Sequence, residues 1–567
     1  MFNNKIVFWL GGIIFYGFSC SYALAQQPNP NEDRFIQPPP QPLPATPQET
    51  EPILPKPQPQ PTTPIPNQQQ VKIPVREVKI VGNTVFDAEL NLIIQPLTGR
   101  TVTLDQLLAA TNSITKLYQD KGYLTSRAIL PKQQITDAVV TIQIIEGSLE
   151  DIKIEGTKKL NPAYIRSRIK LGAFAPLQVE QLEDQLRLLK TDPLFKNLSA
   201  SLQAGSKTGT SILVVRVEEA NPFYGNLSFD NYSPPSVGSQ RLGATLGYRN
   251  VTGLGDNFSG SYYRSTTGGL NLYDFNYRLP VNAKDGSLKL RSVISNTKVT
   301  QDDLEEFNIE GDSQFYEISF RQPLIRTPRE EFALSLGFSY RDGQTFIFDR
   351  IATPFGAGAE ENGVTRTSVF RLGQDYLKRD PKGIFSARSQ FSIGTGLFDA
   401  TINQNPVPDS RFVSWLGQIQ RVVRLSKNQL LIVQGDLQLT PDSLLPSEQF
   451  IIGGGQFLRG YRQNARSGDN GFRLLVEDRI TLASNEAGIS KLAVAPFFDM
   501  GAVWNHPDNP NEQQNQTFLA SLGLGLLWEP IPNLNLRVDY AYPFIDLNDR
   551  GNNLQDNGVY FNLNYKF

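Results

Sequence analysis

Apolar residues recur along this chain with two different periods, and the change falls near residue 220. Leu104, Leu107, Leu108, Thr111, Ile114 and Tyr118 follow helical spacing, with Thr103 and Gln106 placed as a capping box ahead of them. Val179, Leu182, Leu186 and Leu189 make a second helical stripe. Before it, Asn161 stands as an N-cap with Pro162 at the first helical position. Short β-rich runs flank these stripes and end on a turn signal, as in Val78-Lys79-Ile80-Val81-Gly82 and Ile152-Lys153-Ile154-Glu155-Gly156. After Ala220 helical spacing stops and strict alternation replaces it. Phe332, Leu334, Leu336, Phe338 and Tyr340 alternate with Ala333, Ser335, Gly337 and Ser339. Leu534, Leu536, Val538, Tyr540 and Tyr542 alternate in the same way with Asn535, Arg537, Asp539 and Ala541. Period two is the signature of strands with one apolar face.

The first region repeats. Val139–Ile145 is echoed by 212–217, so residues 71–147 and 148–220 each read β-α-α-β-β. That order and size resemble polypeptide-transport-associated (POTRA) domains, periplasmic modules of outer-membrane assembly and secretion proteins. The second region, 221–567, predicts a membrane barrel rather than a soluble sandwich. Its strands run about nine to eleven residues, the length of a tilted bilayer-crossing strand. Aromatic residues gather near strand ends, where an interfacial girdle places them. The chain also stops inside a strand, with Phe561, Leu563, Tyr565 and Phe567 on one face, an ending that resembles the C-terminal signal of bacterial outer-membrane barrels. Dividing these 347 residues by roughly 21 per strand and loop gives about 16 antiparallel strands. The predicted fold is therefore an all-β transmembrane barrel preceded by two small α+β POTRA domains.

Composition narrows the function by exclusion. One histidine, His506, and one cysteine, Cys20, leave no zinc cluster and no Cys/His nucleophile pair. The net charge of −2 draws the chain to no nucleic acid. No lysine-bearing phosphate loop is present, so neither catalytic residues, nor a cofactor, nor a metal is expected. Residues 1–25 read as a signal peptide: Lys5 precedes the apolar run Ile6–Phe18, and Ala23-Leu24-Ala25 is a cleavage site. Residues 26–70 are a proline-rich, extended and flexible linker with nothing to bury.

A signal peptide, a proline-rich tether, two POTRA-like units and a barrel of that size resemble, over essentially the whole mature chain, the two-partner secretion (TpsB-type) transporters of the ShlB/FhaC/HecB haemolysin secretion and activation family. Within it Leu458-Arg459-Gly460-Tyr461 matches the (V/I)-R-G-(Y/F) motif, with Leu458 a mild departure. The resemblance implies an extracellular loop folded back into the barrel lumen. Phe497-Phe498-Asp499-Met500-Gly501 matches the F-x-D-x-G strand motif, so Phe497, Asp499 and Gly501 belong to a barrel strand whose aspartate faces the lumen. Asp499, and Glu477 on the preceding strand, are the implied carboxylate partners of Arg459. A planar guanidinium takes a carboxylate through two parallel hydrogen bonds, which lysine does not reproduce.

The function implied is a non-enzymatic outer-membrane translocase. Its POTRA domains lie in the periplasm and recognise an unfolded secreted exoprotein, which leaves through the barrel. Outer-membrane lipid, and the barrel assembly machinery during biogenesis, are the other implied partners, and a monomer is the implied functional state. A BamA-type insertion factor is the alternative, and a passive porin ranks below it.

Overall fold

The computed structural model describes residues 72–567 apart from Ala487; the signal peptide and proline-rich linker read in 1–70 lie outside the described residues. The chain separates into two compact units near Pro222.

The first unit carries the repeated β-α-α-β-β order. Strand β1 (Lys72–Val75) precedes β2 (Glu77–Val81), α1 (Asp87–Ile94), β3 (Arg100–Thr103), α2 (Leu104–Asp120), β4 (Arg127–Ile129) and β5 (Val139–Ile145). Strands β2, β5 and β4 form a sheet with β5 in the middle, parallel to β2 and antiparallel to β4. The same arrangement recurs in β6 (Ser148–Glu155), α3 (Pro162–Ile169), α4 (Val179–Lys190), β7 (Phe195–Ala204) and β8 (Thr210–Glu219), with β8 in the middle. A small antiparallel pair, β1 with β3, is added to the first copy, where the sequence pattern had shown no strand.

Local chemistry starts α2 and α3 where the sequence places them. The Thr103 side chain accepts from the Gln106 backbone while the Gln106 side chain accepts from the Thr103 backbone. Asn161 caps α3 by accepting from the Ala163 N–H at 2.9 Å. One face of each helix then closes a leucine- and isoleucine-rich core. Ile165, Ile169, Leu182, Leu186 and Leu213 have no exposed surface at all, and each such side chain contributes roughly 1.5–3 kcal/mol through burial.

The second unit is a closed antiparallel barrel of sixteen long strands, from Phe223–Asp230 to Val559–Lys566, plus the two-residue strand Ile351–Ala352. Closure pairs the last strand with the first, from Asn562 opposite Asp230 to Lys566 opposite Asn226. The seam extends one residue further, because Phe567 and Gly225 exchange backbone hydrogen bonds at 3.0 Å in both directions. A Cβ on Gly225 would sit 2.2 Å from the Phe567 ring, so only glycine lets that ring cover the seam. The Phe561 ring lies tilted against Phe229 with centroids 5.1 Å apart, Leu563 lies opposite both Phe229 and Leu536, and Tyr565 and Phe567 stay outward and half-exposed. Closing the ring leaves no unpaired edge in lipid.

Alternation sorts side chains between the two faces. Leu334 and Leu336 point outward, while Ala333, Ser339 and Arg341 on the same strand are buried. Several strands are longer than the nine to eleven residues expected: Glu310–Arg326, Glu330–Ile347 and Val364–Asp380 run 17, 18 and 17 residues. The extra length lies where both faces are polar. There Arg366 pairs with Asp342 at 3.1 Å, and Arg350 reaches Glu310 at 3.0 Å and Asp312 at 2.6 Å. These hairpins continue past the apolar band because their polar side chains suit water.

Candidate functional site

Between the strands Gln429–Leu439 and Asn470–Ser484 the chain makes a loop over residues 440–469, and this loop is folded into the barrel. Its own scaffold is a short hairpin, Phe450–Ile452 against Arg466–Gly468. The Gly454 N–H closes the tip by donating to the carbonyls of Leu458 and Tyr461 at 3.0 and 3.1 Å. Phe450, Ile452, Leu458, Tyr461 and Ala465 pack with the wall residues Val503 and Leu519 into a small apolar cluster. The loop thus carries its own core and seats as a body.

Arg459 sits at the tip, 2% exposed. Its Nε and Nη2 donate to the two oxygens of Asp499 at 2.7 and 2.8 Å, and Nη1 donates to Glu477 at 2.7 Å. The Arg459 backbone N–H also donates to Asp499, at 3.1 Å. The guanidinium carbon lies over the Phe497 ring, 3.3 Å from its centre, so the cation meets an aromatic face as well as carboxylates. Gly460 holds φ at 96°, a left-handed conformation costly for any residue with a Cβ. Gly501 serves by its size: a Cβ there would come 3.2 Å from Leu458 and 2.7 Å from the Phe472 carbonyl. The sequence-derived residues Leu458, Arg459, Gly460, Tyr461, Glu477, Phe497, Asp499 and Gly501 therefore meet in one place. Phe561, Leu563, Tyr565 and Phe567 do not join them, since they belong to the seam.

Several participants carry no motif. Glu477 also accepts from Arg479 at 2.6 Å and from Arg537 at 2.6 Å, and Arg537 reaches Asp539 at 2.7 Å. Asp539 lies 3.6 Å from Arg459. Three guanidiniums thus face three carboxylates, and their formal charges cancel in a site from which water is largely withdrawn. Ser521 donates to the Arg459 carbonyl at 2.5 Å, and Tyr560 donates to the Tyr461 carbonyl at 2.6 Å. The Tyr461 hydroxyl donates to the Ala520 carbonyl at 2.7 Å and accepts the N–H groups of Ala520 and Ile545 at 3.2 Å. The available signal for Arg537 and Asp539 was their place on the polar face of an alternating strand.

A second set of contacts fastens the loop further along. Arg462 binds Asp556 through two hydrogen bonds of 2.9 Å, and Arg466 binds Asp549 at 2.8 and 3.1 Å. Asp469 acts as a splint, accepting from the Leu444 and His506 backbones and from the Gln449 and Asn509 side chains. The arrangement is an inserted loop held by directional ion pairs.

Comparison with known proteins places this geometry. The model of the haemolysin secretion/activation protein ShlB/FhaC/HecB matches residues 209–527, and the ShlB-type POTRA domain matches 73–147. The chain belongs to the haemolysin secretion/activation family. Relatives of this family include the heme/hemopexin transporter protein HuxB of Haemophilus influenzae, 23% identical with 84% of each chain covered. The outer membrane transporter CdiB of Escherichia coli is 24% identical, covering 79% of this chain and 76% of the relative. In three dimensions CdiB from Escherichia coli superimposes with a TM-score of 0.71 at 20% identity, over 92% of this chain and 95% of that one. BamA from Haemophilus ducreyi lacking POTRA domains 1–3 gives 0.52 at 15% identity, over 87% and 100%, which shows a shared fold. The protein is an outer-membrane transporter-family barrel with its POTRA region in the periplasm.

Proposed function

We propose that this protein exports one large partner protein in unfolded form, with the loop at 440–469 as the movable plug of its pore. The supporting observation is the seating of Arg459 on Asp499 and Glu477 inside the barrel. A bidentate arginine pair fixes position as well as distance, so the tip has one resting place. The contacts are also reversible. Water entering a widened lumen hydrates the same charges, so the loop leaves without a covalent step.

The client enters from the periplasm. Each three-stranded sheet of the POTRA region has β5 or β8 in its middle and therefore ends on unpaired strand edges. An extended polypeptide adds to such an edge through main-chain hydrogen bonds, which suits a chain recognised before it folds. Strand β7, with ten residues, offers the longer outer edge of the second copy. Folding of the client outside the cell then draws the chain outward.

Deleting the gene and analysing the medium tests this reading. Loss of a single large exoprotein supports export. Broad loss of outer-membrane barrels would instead establish an insertion factor, and loss of small-solute uptake alone a porin.

A further inference from the structure

Arginines line the inward face of the barrel wall opposite the plug, and they are partnered. Arg291 binds Asp274 at 3.1 and 2.7 Å, Arg371 binds Glu448 at 2.9 and 3.0 Å, and Arg388 binds Asp375 at 2.7 Å. Arg341 differs. It projects inward from the Glu330–Ile347 strand, is 7% exposed, and its Nε and Nη2 atoms have no hydrogen-bond partner. Among the described residues no carboxylate pairs with it. Its neighbour Glu448 has both oxygens committed to Arg371, and the Phe315 ring stands 5.5 Å away. A buried guanidinium with idle donors is costly to keep unless something occupies them.

Arg341 opens onto a cavity of about 210 Å³ between the wall and the inserted loop, shared with Thr345, Ser467 and Gln513 and with the apolar Leu445 and Ile451. Gln513 brings a second buried donor without an acceptor, its Nε2. The carboxylate on this lining, Glu512, is exposed. The cavity therefore presents N–H donors and one uncommitted positive charge, next to apolar surface. A phosphate would bring a second negative charge, while the neighbouring Arg291 and Arg371 are already neutralised. One carboxylate fits the charge balance.

We propose that Arg341 and Gln513 receive a carboxylate side chain of the polypeptide passing the plug, giving the pore a waypoint for acidic residues. This rests on the export reading above. The site itself can be read without it, using the full-length protein in detergent micelles and trifluoroacetate as the probe, followed by ¹⁹F line broadening. The native protein should broaden the line. Arg341→Gln should weaken that effect about tenfold, the scale of losing hydrogen bonds to a charged group. N-acetylaspartate amide should compete, N-acetylasparagine amide should not, and inorganic phosphate should be weaker than the aspartate derivative. Equal broadening by native and Arg341→Gln protein, or phosphate as the best competitor, would overturn the site.

Arg341→Met separates a binding role from a structural one. A merely unpaired buried charge would be replaced without harm, leaving export normal, and that result also overturns the proposal. A carboxylate receptor makes Arg341→Met as defective in export as Arg341→Gln, with the barrel still folded by its heat-modifiable gel mobility. If trifluoroacetate binds through Arg341 but the native protein exports nothing, the site stands and the export reading falls.

Discussion

In the second POTRA-like copy Leu182, Leu186 and Leu213 are completely buried, whereas on the barrel Leu336, Leu522 and Leu524 are each more than half exposed. Charge runs the other way. Lys196 and Arg216 of the soluble unit make surface pairs that water screens, while Arg459, Glu477 and Asp499 lie 2%, 2% and 0% exposed inside the barrel. The physical chemistry is the same in both places. Apolar side chains leave water, and in the barrel the medium that accepts them is lipid outside rather than a core inside. What differs is the consequence. A leucine core is non-directional and tolerates small shifts, while an ion-pair network has one geometry and fails when one member is lost.

The largest test of that contrast is at the plug. Arg459→Ala leaves Asp499 buried without its partner, a loss of about 3–5 kcal/mol from the seated loop. Hydrogen exchange should show 453–463 released while the barrel ladder stays protected, and export should fail. Arg459→Lys should not rescue it, because a single ammonium lacks the planar fork that serves Asp499 and Glu477 from three separate nitrogens. Normal export from Arg459→Ala and Asp499→Ala alike would end the assignment. The comparable test of the soluble unit is Leu186→Ala, expected to cost about 2–5 kcal/mol. Here exchange should rise throughout β6 to β8 and leave the loop's protection unchanged.

Reversing the outer face comes next. Leu336→Arg should cost about 2–4 kcal/mol in a bilayer if this position lies near its middle. Urea unfolding from lipid vesicles measures this, and an unchanged midpoint would show Leu336 to lie outside the apolar band.

The smallest effect is at Glu150, which sits on the surface of the second copy. It accepts from the Thr210 hydroxyl at 2.6 Å and from the hydroxyl and backbone of Ser206 at 2.7 and 2.8 Å. These hydrogen bonds, Thr210 first, hold its carboxyl down at about 2, below the ordinary 4.5. The contribution is thus complete above about 4.5 and is lost as pH falls through about 2. Exchange at 205–210 should rise slightly over that window, and Glu150→Gln should remove the dependence.

The helices of the POTRA region were legible because their determinants are local. Thr103 with Gln106, and Asn161 with Pro162, lie within one turn of the backbone they cap. The strand count was legible too, since alternation and chain length constrain it together. The added β1–β3 pair was missed because four-residue strands carry almost no period. At the site, Arg459, Asp499 and Glu477 were reached through motif resemblance, but Arg479, Arg537, Asp539, Ser521 and Tyr560 were not. The pairs Arg462–Asp556 and Arg466–Asp549 span 94 and 83 residues, and nothing near either member marks its partner.

By itself the sequence determined which faces are apolar, where two of the helices begin, that the chain turns from POTRA modules to a barrel, and that Arg459 sits in a glycine-rich motif. Those properties depend on neighbours a few residues away. Only the tertiary structure decided which carboxylates meet which guanidiniums, and that Arg341 was left without one. Such pairings depend on register and ring closure, where a one-residue slip would turn every inward charge towards lipid.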